Sequence, residues 1–394
     1  MKASGWKADD TVWSQVFTRR LDRQRLLNPT TDDPAAAARA MCGAHAQVLS
    51  AGELAVGLRM QSGTRSDVRR ALTTGDPSCS PQLIKTFGPR GTVHLLATED
   101  LSMWIAAMSG VPRLVAAVPE SMRMSREESL AVITAIADAL ATDDLTVDEL
   151  DAAVVARTGS WAGDLVMPAF GGWWPRWRQS LGEAAQRGVL CFGANRGRKV
   201  TYSSTRRLVP DLVAMDEHTA TRKLLQHYLF SYGPATPADF AHWLAAPRLW
   251  AAELFGSVRD ELEPIDIDGV AMWTSAADTT FPEAGGGELH LLPYFDSYVI
   301  GSRPRERVFP GAAAARALSR GQAGNFPTLL IDGRVRGVWH HKRSGNTLAV
   351  TVEPLDTLTK RQVTRLEQQV ERVGAVLEAR TTLTIGTVSV GGHA

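Results

Sequence analysis

His45 and Gln47 stand two residues apart in the stretch Met41–Met60, MCGAHAQVLSAGELAVGLRM, and together they have the chemistry to hold a water molecule. An imidazole exchanges a proton near neutral pH, and a carboxamide both donates and accepts hydrogen bonds. At this spacing two side chains point the same way on an extended segment and nearly opposite ways on a helix. An extended lead-in is expected, so that both groups converge on one small object. The second half of the stretch reads as a helix, with Leu54, Val56 and Leu58 grouped on one side and Ser50 as its capping side chain. The residues alone leave a plainer alternative open, in which His45 is a capping or core histidine.

The rest of the chain must position this pair. Its 394 residues are too many for one ordinary core and suggest two or three domains. The composition is 44% hydrophobic and 22% charged, that of a soluble globular protein, and the net charge of +1 advertises no overall field for nucleic acid. Cys42, Cys79 and Cys191 are widely separated, without CxxC or metal-ligand spacing, and read as thiols of a reducing cytoplasm. The N-terminal MKASGWKADDTVW has no hydrophobic leader core, and no run of about 18 apolar residues occurs. A cytosolic protein without a structural zinc is expected.

In chain order, Trp13–Leu27 fits a basic amphipathic helix, Asp33-Pro34 starts a second through Ala40, and Ser66–Leu72 adds a turn or two. After a turn at Gly75-Asp76-Pro77, Leu83–Phe87 and Thr92–Leu96 read as a strand pair, and Asp100 opens a further helix. Helices followed by a hairpin are the outline of a winged helix-turn-helix. The order returns with helices over Glu127–Leu140, Thr146–Ala156 (a Thr146/Glu149 capping box) and Leu181–Arg187, a break at Gly171–Pro175, and a hairpin from Val189 to Tyr202. It returns again with helices over Ala220–Tyr232, after Thr236-Pro237 and over Leu249–Leu254, then a hairpin about Asp268-Gly269. The C-terminal part offers strands at Leu289–Tyr294, Thr328–Ile331, Arg334–His340 and Thr347–Val352, a long helix Lys360–Glu378 and an edge strand Leu383–Val390. No strict sequence repeat accompanies the repeated order. The expected fold class is α+β: three tandem winged helix-turn-helix units at 1–125, 126–215 and 216–280, then a small β-rich element with a helix at 281–394.

Averaging hides local charge. Residues 171–209 carry eight Lys or Arg against one Glu, residues 303–343 carry nine against Glu306 and Asp332, and residues 127–151 carry eight Asp or Glu without a basic residue. The basic residues fall on turns and hairpin tips, where a phosphate backbone is usually reached. Arg196, Arg198 and Lys199 make one such tip, and Arg90 sits in the first hairpin turn. Arg303, Arg305 and Arg307 alternate and would share one face of an extended segment, lining DNA. Trp173, Trp174 and Trp177 either form an aromatic cage for a base or pack in a core.

Six segments in order, GAHAQVLSAGELAVGLRM, LIKTFGPRGTVHLLATEDLSMW, SLGEAAQRGVLCFGANRGRKVTY, YGPATPADFAHWL, LLPYFDSYVIGSR and LLIDGRVRGVW, resemble the bacterial winged-helix DNA glycosylases of the AlkZ/YcaQ type. The resemblance runs from about residue 13 to 375. It implies that the three winged helices form a C shape. It also implies hydrolysis of the N-glycosidic bond of bulky alkylated purines, N7-type guanine adducts and interstrand crosslinks included, in double-stranded DNA, with no metal or organic cofactor. Such enzymes protect producers of DNA-alkylating natural products. By the same implication the protein is a monomer with no membrane partner, cytoplasmic and associated with the bacterial nucleoid, and it acts on the lesion within a wide cleft rather than by flipping a base.

The family's catalytic signature is a Gln-aliphatic-Gln motif, and His45-Ala46-Gln47 stands at the matching positions, a departure at the first. Gln47 then positions the attacking water and His45 holds it or accepts its proton. Asp296 and Tyr298 match a strongly patterned family segment and are expected to border the active cleft; as residues alone they read equally as a turn cap and a core tyrosine. Two rival functions stay open on sequence: a winged-helix regulator and a binder that sequesters a toxin. The helix after His45 carries only Arg59 of the side chains that read base edges, which disfavours the regulator.

Overall fold

In the computed structural model the described residues are 9–74, 79–112, 119–169 and 172–392; the turn expected at residues 75–77 lies outside them, as does Gly171. The chain divides into two compact units, one of Met1–Arg70, Leu225–Trp243 and Arg248–Ala394, the other of Ala71–Leu224 and Leu244–Pro247.

The first unit is stitched from both ends of the chain. Helix α1 (Asp9–Arg23) buries Trp13, Val16, Phe17 and Leu21 at helical spacing. Its expected basic face is not left to solvent, because Arg19 and Arg20 are also buried. Arg19 donates to Asp278 Oδ2 at 2.9 Å and to Thr274 Oγ1 at 3.1 Å. Arg20 donates to the carbonyls of Pro234, at 2.9 Å, and Arg303. Buried charge persists where it is paired and hydrogen-bonded, so these arginines clasp the helix to residues more than 200 positions away. Helix α2 (Pro34–Ala40) begins as its sequence dictates, with Asp33 Oδ1 accepting from Ala35 N at 2.9 Å and proline in the first turn. Helix α3 (Leu49–Leu58) follows.

The C-terminal part of this unit is a five-stranded sheet in the order Leu289–Leu292, Thr328–Ile331, Arg334–Ser344, Thr347–Pro354, Arg380–Ile385. Asp332 and Gly333 both take positive φ (48° and 74°), the requirement of a tight hairpin turn, and join the second and third strands. The long helix Lys360–Leu377 starts at a Thr359/Gln362 capping box and packs Leu366, Val370, Val373 and Leu377 on the sheet and on Leu54 and Leu58 of α3. The last strand begins at Arg380, earlier than the expected Leu383, and pairs in parallel with Thr347–Pro354. The reason is the helix end: Glu378 turns left-handed (φ 55°) and sends the chain straight back along the sheet.

The second unit carries the antiparallel pair Leu83–Phe87 and Val93–Ala97, then helix Leu101–Gly110. Helix Arg126–Ala139 begins at a Ser125/Glu128 capping box and Val147–Thr158 at the expected Thr146/Glu149 box. Helix Leu181–Gln186 leads into the hairpin Leu190–Phe192 and Thr201–Ser204, which Leu145–Thr146 extends by a short third strand. Val132, Ile136, Leu150, Val154, Trp177 and Leu190 form its core. A second hairpin, Leu165–Ala169 with Gly172–Pro175, stands where the sequence reads as a break.

Candidate active site

The segment between α2 and α3 is short, bent and fastened. After Met41 the backbone turns through positive φ at Cys42 (52°) and Gly43 (92°), runs extended over Ala44–His45, and bends at Gln47 before α3. The extended lead-in is therefore present at His45 and stops short of Gln47. His45 is buried and stacks on Phe295, ring centroids 5.0 Å apart and planes 27° from parallel, whereas Gln47 is exposed. The imidazole is thus a wall and the amide a projecting group. Ser50 is not the cap: Val48 occupies the N-cap position of α3, without a side-chain bond, and Ser50 lies inside the first turn. Gly52 lets that turn close on the motif, since a Cβ there would stand 3.0 Å from Ala46 Cβ and 3.1 Å from the His45 carbonyl.

Residues 296–297 hold both the start of the segment and the far end of α3. Ser297 Oγ donates to Gly43 O at 2.9 Å and accepts from His45 N at 3.3 Å. At the other end of α3, Arg59 meets Asp296 in a two-pronged ion pair, Nη1 to Oδ2 at 2.9 Å and Nη2 to Oδ1 at 2.8 Å, with both side chains fully buried. Asp296 Oδ1 also accepts from Tyr298 N at 2.9 Å, capping helix Ser297–Gly301. Further support comes from Glu217–Tyr232, where Tyr232 Oη donates to Met41 O at 2.9 Å and Ser231 Oγ to Ala40 O at 2.9 Å. Arg372 donates to the carbonyls of Gly57, Met60 (2.7 Å) and Gly63 (3.3 Å), at and beyond the end of α3, where intrahelical donors run out.

This geometry corrects the expectation for Asp296 and Tyr298. Neither borders an open cleft: both are wholly buried, and the tyrosine hydroxyl donates to Gly333 O at 2.8 Å. Burial pushes the Tyr298 phenol above the ordinary tyrosine range. Asp296 bears on the motif through Arg59, and its neighbour Ser297 bonds the motif directly. Sequence reasoning missed Ser297, Tyr232 and Arg372 and gave Arg59 no role; the available signal was a lone arginine closing an otherwise apolar helix.

The arginines at 303, 305 and 307 are not on an extended segment. Arg305–Val308 is a short helical turn, so the alternation does not put them on one face. Arg305 caps helix Ser297–Gly301 through the carbonyls of Val299 and Ile300, Arg307 pairs with Asp268 at 2.8 Å, and all three are half-buried. Arg90 is half-buried in a turn at φ 60°. Arg196, Arg198 and Lys199 are exposed at the hairpin tip as expected, but Arg196 pairs with Glu149 and Lys199 with Asp148 at 3.0 Å, so the acidic and basic stretches partly neutralise one another. Hydrogen bonds from Thr146 N and then Arg196 hold the Glu149 carboxyl down at about 2. The tryptophans divide: Trp177 is core, its Nε1 on Asp151 at 2.6 Å, while Trp173 and Trp174 are exposed on the Gly172–Pro175 strand.

Comparison with known proteins places the chain among the DNA glycosylases, hydrolases that cut N-glycosyl bonds. More narrowly, it belongs to the AlkZ-like family: the model described as "DNA glycosylase AlkZ-like" matches residues 38–376, from α2 to the end of the long C-terminal helix. It is similar to an interstrand DNA cross-link repair glycosylase of Streptomyces sahachiroi, 30% identical over 342 residues that cover 83% of this chain and 87% of the relative. The solved structure of the Streptomyces sahachiroi DNA glycosylase AlkZ superposes with a TM-score of 0.77 at 26% identity, covering 98% of this chain and 100% of that one. Among the described residues no helix is long and apolar enough to cross a membrane.

Proposed function

We propose that this chain removes bulky alkylated purines from double-stranded DNA, N7-type guanine adducts and interstrand crosslinks among them, as self-resistance to a DNA-alkylating natural product. The observation that carries the reading is the fastened segment itself: an exposed Gln47 and a stacked His45 stand where the family has its Gln-aliphatic-Gln signature. The name of the Streptomyces sahachiroi relative supports crosslinks as substrate. The repeated order of helices and hairpins supports three tandem winged-helix units, and the exposed tip at Arg196, Arg198 and Lys199 is proposed to meet the backbone, exchanging its exposed acidic partners for phosphates. The working form is a cytoplasmic monomer.

The chemistry asks little of the protein. Alkylation at N7 makes the purine cationic and a good leaving group, so the C1′–N bond breaks with its electron pair passing to the base. Gln47 aims a water at C1′ of the oxocarbenium-like sugar, the new C1′–O bond forms, and His45 accepts the released proton. A protonated His45 beside the developing positive charge opposes the reaction.

The test uses duplex DNA carrying one N7-alkylguanine adduct, alkaline heating to cleave abasic sites, and chromatography of the released base. Release is expected from the unaltered chain and falls about 100-fold or more in Gln47→Ala and His45→Ala. Binding without release points to a regulator and sinks the proposal.

A further inference from the structure

Beside α2 the first unit contains a cavity of about 430 Å³ that the chemistry above leaves unused. Its apolar walls are Ala36 and Ala40 on α2, Phe230 on the helix Glu217–Tyr232, and Ala277; Arg25 and Arg39 stand among its polar lining. Phe230 keeps 41% of its surface exposed, unusual for a phenyl ring inside a concave site, and the Arg23 guanidinium lies 5.6 Å from its centroid. Asp278, the acidic member of the lining, is paired with Arg19 and Arg23, so the balance of the lining is apolar and cationic. That volume lies in the range of small-molecule sites, and such a lining favours a flat apolar group bearing acceptor oxygens.

The cavity is tied to the catalytic segment. Ser231, next to Phe230, donates to the carbonyl of Ala40, which is the last residue of α2 and five positions before His45. Five residues span at most about 18 Å, so the cavity stands within the length of a bulky substituent from the motif.

We propose that this cavity is the subsite for the part of the adduct that is not DNA: an apolar, ring-bearing arm attached through N7 to the purine. The purine stays at His45 and Gln47 while the arm lies across Phe230 between Ala36 and Ala277. This rests on the glycosylase reading above and adds a basis for choosing bulky adducts over small ones.

Two duplexes of identical sequence test it, one with N7-methylguanine and one with an N7-guanine adduct carrying a large aromatic arm. Ala36→Trp and, separately, Ala277→Trp each fill the cavity from its lining. Each is expected to raise KM for the armed duplex ten-fold or more, leaving release of N7-methylguanine and the melting temperature unchanged. Phe230→Trp provides a direct readout, the emission of its new indole quenched by the armed duplex and not by the methylated one. Equal losses on both duplexes in both filling variants, no loss on either, or an indole that the armed duplex leaves unquenched overturns the subsite. Release of neither base by the unaltered chain overturns the glycosylase reading itself, and the subsite with it.

Discussion

Asp296 is the residue at which chemistry and support are easiest to confuse. A carboxylate in a strongly patterned segment looks like an active-site acid, yet here it is fully buried against Arg59 and the amide of Tyr298. Removing one partner of such a pair leaves the other charge uncompensated, at a cost of about 3–5 kcal/mol. Asp296→Ala is therefore expected to lower the unfolding free energy by that much, read as a lower urea midpoint at an unchanged slope, and Arg59→Leu added to it to recover part of the loss. Base release per folded molecule should fall with the positioning of α3 rather than vanish. Full stability with abolished release would instead place Asp296 in the catalytic machinery. Around His45-Ala46-Gln47 the extended lead-in was legible as far as His45, because strand preference is a local property, while the bend at Gln47 was not. The Arg59 partnership was not, since its two members are 237 positions apart and only the folded chain brings them together.

At the level of elements, α3 is placed by a contact that depends on one missing side chain. A Cβ at Gly57 would stand 2.4 Å from Val376 Cγ1, so the long C-terminal helix rests on bare backbone there while Arg372 bonds the carbonyls beyond. Gly57→Ala should cost about 1–3 kcal/mol by overpacking. Val376→Ala, which deletes the colliding Cγ1 methyl, should recover most of it in the double variant, a non-additivity read from thermal melts. Additive losses would show that the two helices are not in this register. Elements of this kind were legible wherever their ends carry local chemistry: the Thr146/Glu149 box, Pro34 and the Asp332-Gly333 turn all mark boundaries found in the fold. The hairpin Leu165–Ala169 with Gly172–Pro175 was missed because glycine and proline read as breakers, though a proline at a strand end removes no needed donor. The turn Arg305–Val308 was missed because a four-residue helix has no period to detect.

Across the whole molecule, the first unit gathers its parts from both chain ends, so its stability couples the motif to the distant C-terminal sheet. His290 lies on the outer strand of that sheet, buried, and burial first, then the nearby charges of Arg59 and Arg365, lower its pKa from the ordinary 6.5 to about 4. The half-buried His341 on the Arg334–Ser344 strand is lowered to about 4 as well, again mainly by burial. The sign follows from proton counting. Below pH 6.5 an unfolded chain protonates both imidazoles while the folded one keeps them neutral down to about 4, so acid pulls the equilibrium toward unfolding across that window. For His290 the loss is on the order of 3 kcal/mol by pH 4. Urea denaturation between pH 7 and 4.5 should give a steep fall in stability, and His290→Leu should take about one proton out of that slope. An unchanged slope would mean that His290 takes its proton inside the folded sheet.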